Sequence, residues 1–442
     1  MKITPFKWQT PLIEKQTASL RAHRFFINAC GTGAGKTVMA LQTVKDLGVK
    51  VLVVAPIVSH EQWRRTADAM DCAEQILDVI NIEKVSRGSA KIWYNKDDGW
   101  RLPKGALVIL DECHRGCSGE KSNATEAFAM LKAYPSIMLL AMSATLACNP
   151  MQLRMAGYWG GLHGYVKRDY NQFLLRHGCK YEQFGWGRNR RYGITFTKNA
   201  QKARDMMKAI RNEFGDQLMA YGPKDIPDFP TETISVELLD LSKRDHEEIV
   251  KAYEAMDEKV KSHTGIQLVD CLHERMRAEL CKIPAMIELA VSYINSITDN
   301  YSVVLFLSFT QSREKAEELL RDAGIEYRSV YGGMDEAERQ KGIDEFQANK
   351  VHCLVCMSQA ASCAMSAHDV KHERMRVSLI SPSFSASDMK QALGRIRRVG
   401  GTHATQIFVL AADTVEEDVA ASLRKKIDNI DELNDQDLMP SF

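Results

Sequence analysis

The sequence predicts an α/β protein of two successive lobes, each a mainly parallel sheet flanked by helices. Three observations carry that expectation. The stretch Gly31-Thr32-Gly33-Ala34-Gly35-Lys36-Thr37 stands between an apolar run, Phe25 to Cys30, and a run with helical spacing, Val38 to Val44. A second alternation of apolar strands and amphipathic helices begins at Val303 and carries no such loop. The 442 residues exceed one ordinary core, so two domains are expected.

A glycine-rich loop between strand and helix lets backbone N–H groups turn inward on a polyphosphate. Gly31, Thr32, Gly33, Ala34, Gly35, Lys36 and Thr37 are therefore the candidate nucleotide-binding residues. Lys36 can reach the β- and γ-phosphates, and Thr37 can place its hydroxyl on Mg²⁺. Ahead of the loop, Phe6-Lys7-Trp8-Gln9 precedes a helical pattern from about Thr10 to Arg21. The Gln9 amide can both donate to and accept from an adenine edge, with an adjacent aromatic ring available to stack on the base.

Bulk composition narrows the class. A hydrophobic fraction of 45% and a charged fraction of 26% are those of a globular chain. The net charge of +1 calls for no polyanionic partner, so a nucleic-acid face has to be a local patch. Eleven cysteines without secreted-scaffold spacing point to a reducing compartment. No apolar signal core follows Met1 and no apolar run reaches spanning length, so a cytoplasmic protein with no membrane partner is expected.

Further along the first half, Lys50 to Pro56 reads as a strand, and Ser59 to Trp63 as the start of a helix. Ile76 to Ile82, Ala106 to Leu110 and Ser136 to Met142 read as more buried strands. The second of these runs straight into Asp111-Glu112-Cys113-His114. A carboxylate at the end of a parallel strand can hold Mg²⁺, and its neighbour can deprotonate an attacking water. Asp111 is assigned to the metal and Glu112 to the general base. Cys113, His114 and Cys117 lack the pair-of-pairs spacing of a zinc site. Ser143-Ala144-Thr145 closes the third strand, where small hydroxyl residues could link hydrolysis to a neighbouring domain; an ordinary strand-end turn reads the same way.

Residues 151–225 change character, with 14 Lys and Arg against 6 Asp and Glu, a net of +8. Tyr181, Phe184, Trp186, Tyr192 and Phe196 interleave with that charge. The pattern suits a phosphate backbone with splayed bases, and it equally suits a solvated face over a small core. Arg188, Arg190 and Arg191 are the candidate nucleic-acid contacts.

Gly222 to Pro230 is a proline-marked connector, which places the lobes at residues 1–228 and 229–442. A helical, charge-rich segment spans about 239–297. Strands follow at 303–309, 326–331, 352–357, 377–380 and 406–410, with helices at 312–322 and 335–346. Cys353 and Cys356 share one apolar strand, where side chains alternate faces, so they are not expected to bind metal. Gln391-Ala392-Leu393-Gly394-Arg395-Ile396-Arg397-Arg398 offers guanidinium groups that can neutralise charge on a transferring phosphoryl group.

Taken together, Gln9, GTGAGKT, DECH, SAT and QALGRIRR resemble, in order and over nearly the whole chain, the superfamily 2 helicases and translocases. VLVVAPIVSHEQW, SATLACNP, FLSFTQSREKAEELL, the run from Tyr331 through Arg339 to Phe346, and QALGRIRRVGG with Thr414 to Glu417 are most similar to the Swi/Snf-type branch. The resemblance implies two tandem RecA-like lobes that close on ATP in the cleft between them and step along nucleic acid. It implies phosphate and Mg²⁺ roles for Lys36 and Thr37, and metal and water roles for Asp111 and Glu112. It gives transition-state charge to Arg395 and Arg398, with Gln391 beside the nucleotide, and coupling to Ser143 and Thr145. It implies that Gln9 reads adenine, and it adds Pro56 and Gln62 as nucleic-acid candidates. One departure stands out: Ser358 to Ala367 lacks the glycines that the family's second-lobe motif carries.

The expected activity is thus an ATP-dependent DNA helicase or double-stranded DNA translocase with ATP and Mg²⁺ as cofactors. Its partner would be duplex, single-stranded or branched DNA, the active form a monomer, and the setting a phage or other mobile element. An RNA-acting member of the same superfamily is the first alternative, because phosphate contacts carry little sugar information. The second is an ATP-dependent DNA-binding switch or scaffold that scarcely moves.

Overall fold

In the computed structural model the chain divides into two compact units, Met1–Pro227 and Asp228–Phe442. The structure describes residues 2–88, 90, 92–113, 122–144, 147, 149–184, 191–197, 199–262, 272–297, 300–357, 365–382 and 385–426.

The first unit runs α1 (Thr10–His23), β1 (Phe25–Asn28), α2 (Lys36–Leu47), β2 (Val51–Val54), α3 (His60–Ala69), β3 (Ile76–Ile80) and α4 (Ile82–Ser86). A small pair follows, β4 (Tyr94–Asn95) with β5 (Gly99–Trp100), then β6 (Leu107–Leu110), α5 (Asn123–Met130) and β7 (Met138–Met142). The unit ends with α6 (Arg154–Trp159), α7 (Lys167–Arg176), β8 (Lys180–Phe184), β9 (Arg191–Thr195), α8 (Ala200–Glu213) and β10 (Leu218–Met219).

Among the described residues its main sheet has the order β10-β1-β7-β6-β2-β3, parallel throughout. Short, fully buried strands such as Val51–Val54 and Leu107–Leu110 are what a sheet covered on both faces requires. The chain leaves β1 through α2 but re-enters the sheet at β2, with β7 and β6 lying between. That arrangement opens a crevice at the carboxyl ends of the strands, where open α/β sheets take their ligands.

The second unit runs β11 (Glu232–Leu239), α9 (Lys243–Ser262), α10 (Leu272–Ile294), β12 (Tyr301–Leu307), α11 (Thr310–Asp322) and β13 (Tyr327–Val330). It continues with α12 (Glu336–Gln347), β14 (Cys353–Met357), β15 (Met375–Ile380), α13 (Ala386–Leu393), β16 (Ala404–Ala411) and α14 (Glu416–Lys426). Its sheet has the order β11-β16-β15-β12-β14-β13, again parallel. Alternate residues of β12 enter two cores: Val304 and Phe306 on one face, Val303, Leu305 and Leu307 on the other. Cys356 and Cys353 divide between the same two faces. Each unit is therefore a helix-flanked parallel sheet of the RecA-like kind.

β11 is a correction to the sequence reading, which began the second unit's order with helix at about Leu239. Ile234, Val236 and Leu238 alternate with polar residues, the mark of a half-buried strand. Eight residues in register with β16, from Glu232 opposite Ala404 to Leu239 opposite Ala411, make it the sheet's edge. The β8–β9 hairpin and the two-residue β10 were likewise not expected.

Candidate nucleotide site

At the carboxyl end of β1 the chain makes the glycine loop, with Gly33 and Gly35 in the left-handed region at φ 81° and 75°. Gly35 caps α2, which begins at Lys36. The loop is tied at its start, where Gly31 N donates to the Tyr221 carbonyl at 2.8 Å. It is tied again at its middle, where Gln9 Nε2 donates to the Ala34 carbonyl at 2.9 Å. The other end of the same amide, Oε1, accepts from Phe6 N at 2.9 Å. Gln9 is only 1% exposed, so its amide holds the loop backbone. Lys36 Nζ lies over the loop, donating to the carbonyls of Cys30 and Gly31 at 2.8 and 3.0 Å. Thr37, next in the helix, is partly exposed.

Asp111 stands at the end of β6, and its N–H still completes the ladder to Val54 on β2 at 2.8 Å. Two residues later Cys113 N bonds the Met142 carbonyl on β7 instead, at 2.9 Å. The switch between partners is made by Glu112, a non-glycine residue at φ 49°. Such a conformation costs about 1–3 kcal/mol and persists where its surroundings impose it. The turn leaves Asp111 and Glu112 together at the carboxyl end of the sheet, and Glu112 N donates to Asp111 Oδ1 at 3.0 Å. Burial and the Glu112 carboxylate push Asp111 up to about 6, while Trp63 and Lys36 oppose the shift. Trp63, 1% exposed on α3, donates Nε1 to Asp111 Oδ2 at 3.1 Å.

Behind the loop runs a buried chain of amides. Gln16 Nε2 donates to Thr43 Oγ1 at 2.9 Å, and Asn28 Nδ2 donates to Gln16 Oε1 at 3.1 Å. Asn28 Oδ1 then accepts from Cys30 N at 3.2 Å. Thus α1, β1, α2 and the loop form one polar assembly. Ser143, fully buried, joins it through its N–H to the Asn28 carbonyl at 3.1 Å. Thr145 lies outside the described residues, as do His114, Cys117, Arg188 and Arg190. Arg191 begins β9. Pro56 follows β2 at the same carboxyl end of the sheet, where its carbonyl accepts from Ser59 Oγ at 2.8 Å, and Gln62 is partly exposed beside Trp63 on α3. Among the described residues no three His, Cys, Asp or Glu side chains cluster as a metal site would need.

In the second unit α13 ends at Leu393, so the arginines follow the helix and do not lie along it. Arg395 is 2% exposed and points Nη1 at the Met365 carbonyl, 3.4 Å away. Arg398 Nη2 donates to that carbonyl at 2.8 Å. Arg397 turns the other way, to the Pro230 carbonyl at 2.7 Å, the Glu232 carboxylate and the ring of Phe229. Gln391, on the last turn of α13, is buried. The fold therefore gathers Gln9, the loop, Asp111, Glu112 and Ser143 in the first unit, and Gln391, Arg395 and Arg398 in the second. Residues 358–364 of the glycine-poor stretch lie outside the described residues.

Sequence reasoning missed Trp63 and Asn28. A tryptophan three residues into a helix carries no local sign of its carboxylate partner, 48 residues away. Asn28 does carry one, because an amide at the end of an otherwise apolar strand needs a buried partner.

Chemically, the first unit offers what a nucleoside triphosphate with Mg²⁺ requires. Backbone N–H groups are wrapped by glycines, with a lysine over the loop and a carboxylate pair at the adjacent strand end.

Residues 282–400 match the Helicase conserved C-terminal domain family. A protein of Acanthamoeba polyphaga mimivirus that bears the name of an ATP-dependent RNA helicase is 25% identical over 98% of this chain and 84% of its own length. The pre-mRNA-processing ATP-dependent RNA helicase prp5 of Sclerotinia sclerotiorum is 30% identical over 111 residues, 24% of this chain and 9% of that protein. Among solved structures, S. cerevisiae Dbp5 bound to RNA and ADP BeF3 has the same fold, with a TM-score of 0.50 at 10% identity over 94% of this chain and 90% of that one. No helix among the described residues is long and apolar enough to cross a membrane.

Proposed function

We propose that this chain is a superfamily 2 helicase, a nucleic-acid-dependent ATPase, and that the polymer it acts on is RNA. The observation that carries the choice is the likeness to the mimivirus protein, which extends over 98% of the chain and not over one motif alone. The prp5 likeness, over 24% of this chain, points the same way. Both relatives favour RNA over the duplex-DNA track drawn from the Swi/Snf-type stretches.

In the proposed reaction the amides of the loop and Lys36 hold the polyphosphate of ATP. Thr37 and Asp111 would hold Mg²⁺, which when bound neutralises charge on the phosphate oxygens. Glu112 takes a proton from water as the water oxygen bonds to the γ-phosphorus. The bond from phosphorus to the bridging oxygen breaks, leaving ADP and inorganic phosphate. Gln9 acts by fixing the loop through Ala34. Trp63 is a positioning residue that orients the Asp111 carboxylate. Arg395 and Arg398 are assigned to charge that builds on the transferring phosphoryl group, a role testable by Arg398→Ala with folding retained. Ser143 is assigned to coupling, through the Asn28 carbonyl that borders the loop.

Strand displacement tests the proposal. A short RNA duplex with a single-stranded RNA tail should separate with ATP and Mg²⁺, and should not with Glu112→Gln. Displacement of the matching DNA duplex alone would return the reading to DNA. Tight ATP-dependent binding with no displacement of either duplex would leave the switch.

A further inference from the structure

The antiparallel β8–β9 hairpin stands apart from the parallel sheet and pairs Tyr181 with Ile194 and Gln183 with Tyr192. Directly opposed residues share a face, as do residues two apart on one strand. Tyr181, Gln183, Tyr192 and Ile194 therefore stand on a single face. Ile194 packs on the core, but Tyr181 is 54% exposed and Tyr192 71% exposed. Asn171 Nδ2 donates to the Tyr181 hydroxyl at 3.1 Å, which joins that ring to α7. On α7 the positions 168, 171 and 175 recur at helical spacing, and Arg168 and Leu175 are exposed.

Single exposed aromatics are ordinary on protein surfaces. Here two share one face, and neither ring enters a core. The charge of the segment that carries the hairpin points to the partner. Residues 151–225 carry +8 while the whole chain carries +1, so the rest of the protein is net acidic. An acidic protein surface would be met by that charge alone and gives no use for two open rings. A single-stranded nucleic acid uses both features, because every base has a π-face and every linkage a phosphate.

We propose that the hairpin face bearing Tyr181 and Tyr192 is a stacking platform for the unpaired bases of a single strand, with Lys167 and Arg168 of α7 meeting its phosphates. The inference rests on the reading of the chain as an RNA-acting enzyme and adds a contact outside the nucleotide site.

The test is fluorescence anisotropy of the full-length protein, without nucleotide. The probes are labelled 20-residue single strands of RNA and of DNA with the same base order, and a blunt RNA duplex. Tyr181→Ala and Tyr192→Ala should each weaken single-strand binding by roughly ten-fold. Tyr192→Phe should restore it, and binding to the blunt duplex should not change. Melting temperature and ATPase activity without polymer should match the parent protein, since the rings are outside the core. Unaltered single-strand affinity in both alanine variants would overturn the platform and leave the face to a protein partner. Tyrosine-dependent binding of DNA with no binding of RNA would uphold the platform and overturn the RNA reading.

Discussion

Nε2 of Gln9 stands 2.6 Å from where a Cβ on Gly35 would lie, and it donates to the carbonyl of the preceding residue, Ala34. The loop backbone and the glutamine are fitted to each other, and Gly35 also holds φ at 75°.

Gly35→Ala should therefore do two things at once: strain the backbone and push the Gln9 amide off Ala34. MgATP affinity, read by titration with a fluorescent analogue, should fall at least ten-fold. Gln9→Ala leaves the Ala34 carbonyl and Phe6 N–H without their partner, at about 1–3 kcal/mol of stability. Parent-like affinity in both variants would show that the loop does not depend on this contact.

Trp63→Phe keeps the ring on α3 but removes the donor to Asp111. Since Trp63 opposes the upward shift of that carboxyl, the variant should hold Mg²⁺ less well. Titration of ATPase activity with Mg²⁺ should show a several-fold higher half-saturating concentration with little change in the maximal rate. An unchanged Mg²⁺ requirement would remove Trp63 from the site.

In the second unit Lys282 on α10 meets Glu416 on α14 at 2.9 and 3.0 Å, both side chains 4% exposed. Tyr253 and the Ala411 N–H donate to the same carboxylate. Lys282→Met leaves a buried charge without its cation, which should cost about 3–5 kcal/mol in chemical denaturation. Lys282→Met combined with Glu416→Gln should recover much of that loss.

His368 gives a pH dependence. Burial, with Arg398 and Arg376 nearby, holds it down to about 3 from the ordinary 6.5. The unfolded chain takes up this proton below pH 6.5 while the folded chain does not, so stability falls as pH drops from 6.5 toward 3. The loss reaches about 1 kcal/mol by pH 5 once partial exposure is allowed for. His368→Gln should flatten that part of the stability profile, and a parallel profile would rule the histidine out.

The glycine loop after β1 and the turn at Asp111 and Glu112 after β6 were legible because their signals are local. Glycines mark where the backbone must adopt positive φ, and a carboxylate ending an apolar run marks a strand terminus at a site. What was not legible depends on non-local pairing. Trp63 meets Asp111 because β2 and β6 are neighbours in the sheet, and nothing within ten residues of either signals it. Arg395 is buried where its guanidinium meets the Met365 carbonyl, 30 residues earlier in the chain. β11 was lost between a proline connector and a helix, although Ile234, Val236 and Leu238 alternate as an edge strand should. Gln9 was legible as important; its partner, the loop backbone, was not.

The most direct measurement is steady-state ATP hydrolysis by the full chain without polymer, then with single-stranded RNA, duplex RNA, single-stranded DNA and duplex DNA. Lys36→Ala and Arg398→Ala serve as controls. Strong stimulation by RNA above DNA, abolished in both variants, is the predicted result. Stimulation by DNA alone, or by neither polymer while nucleic acid still binds, would contradict an RNA-dependent ATPase.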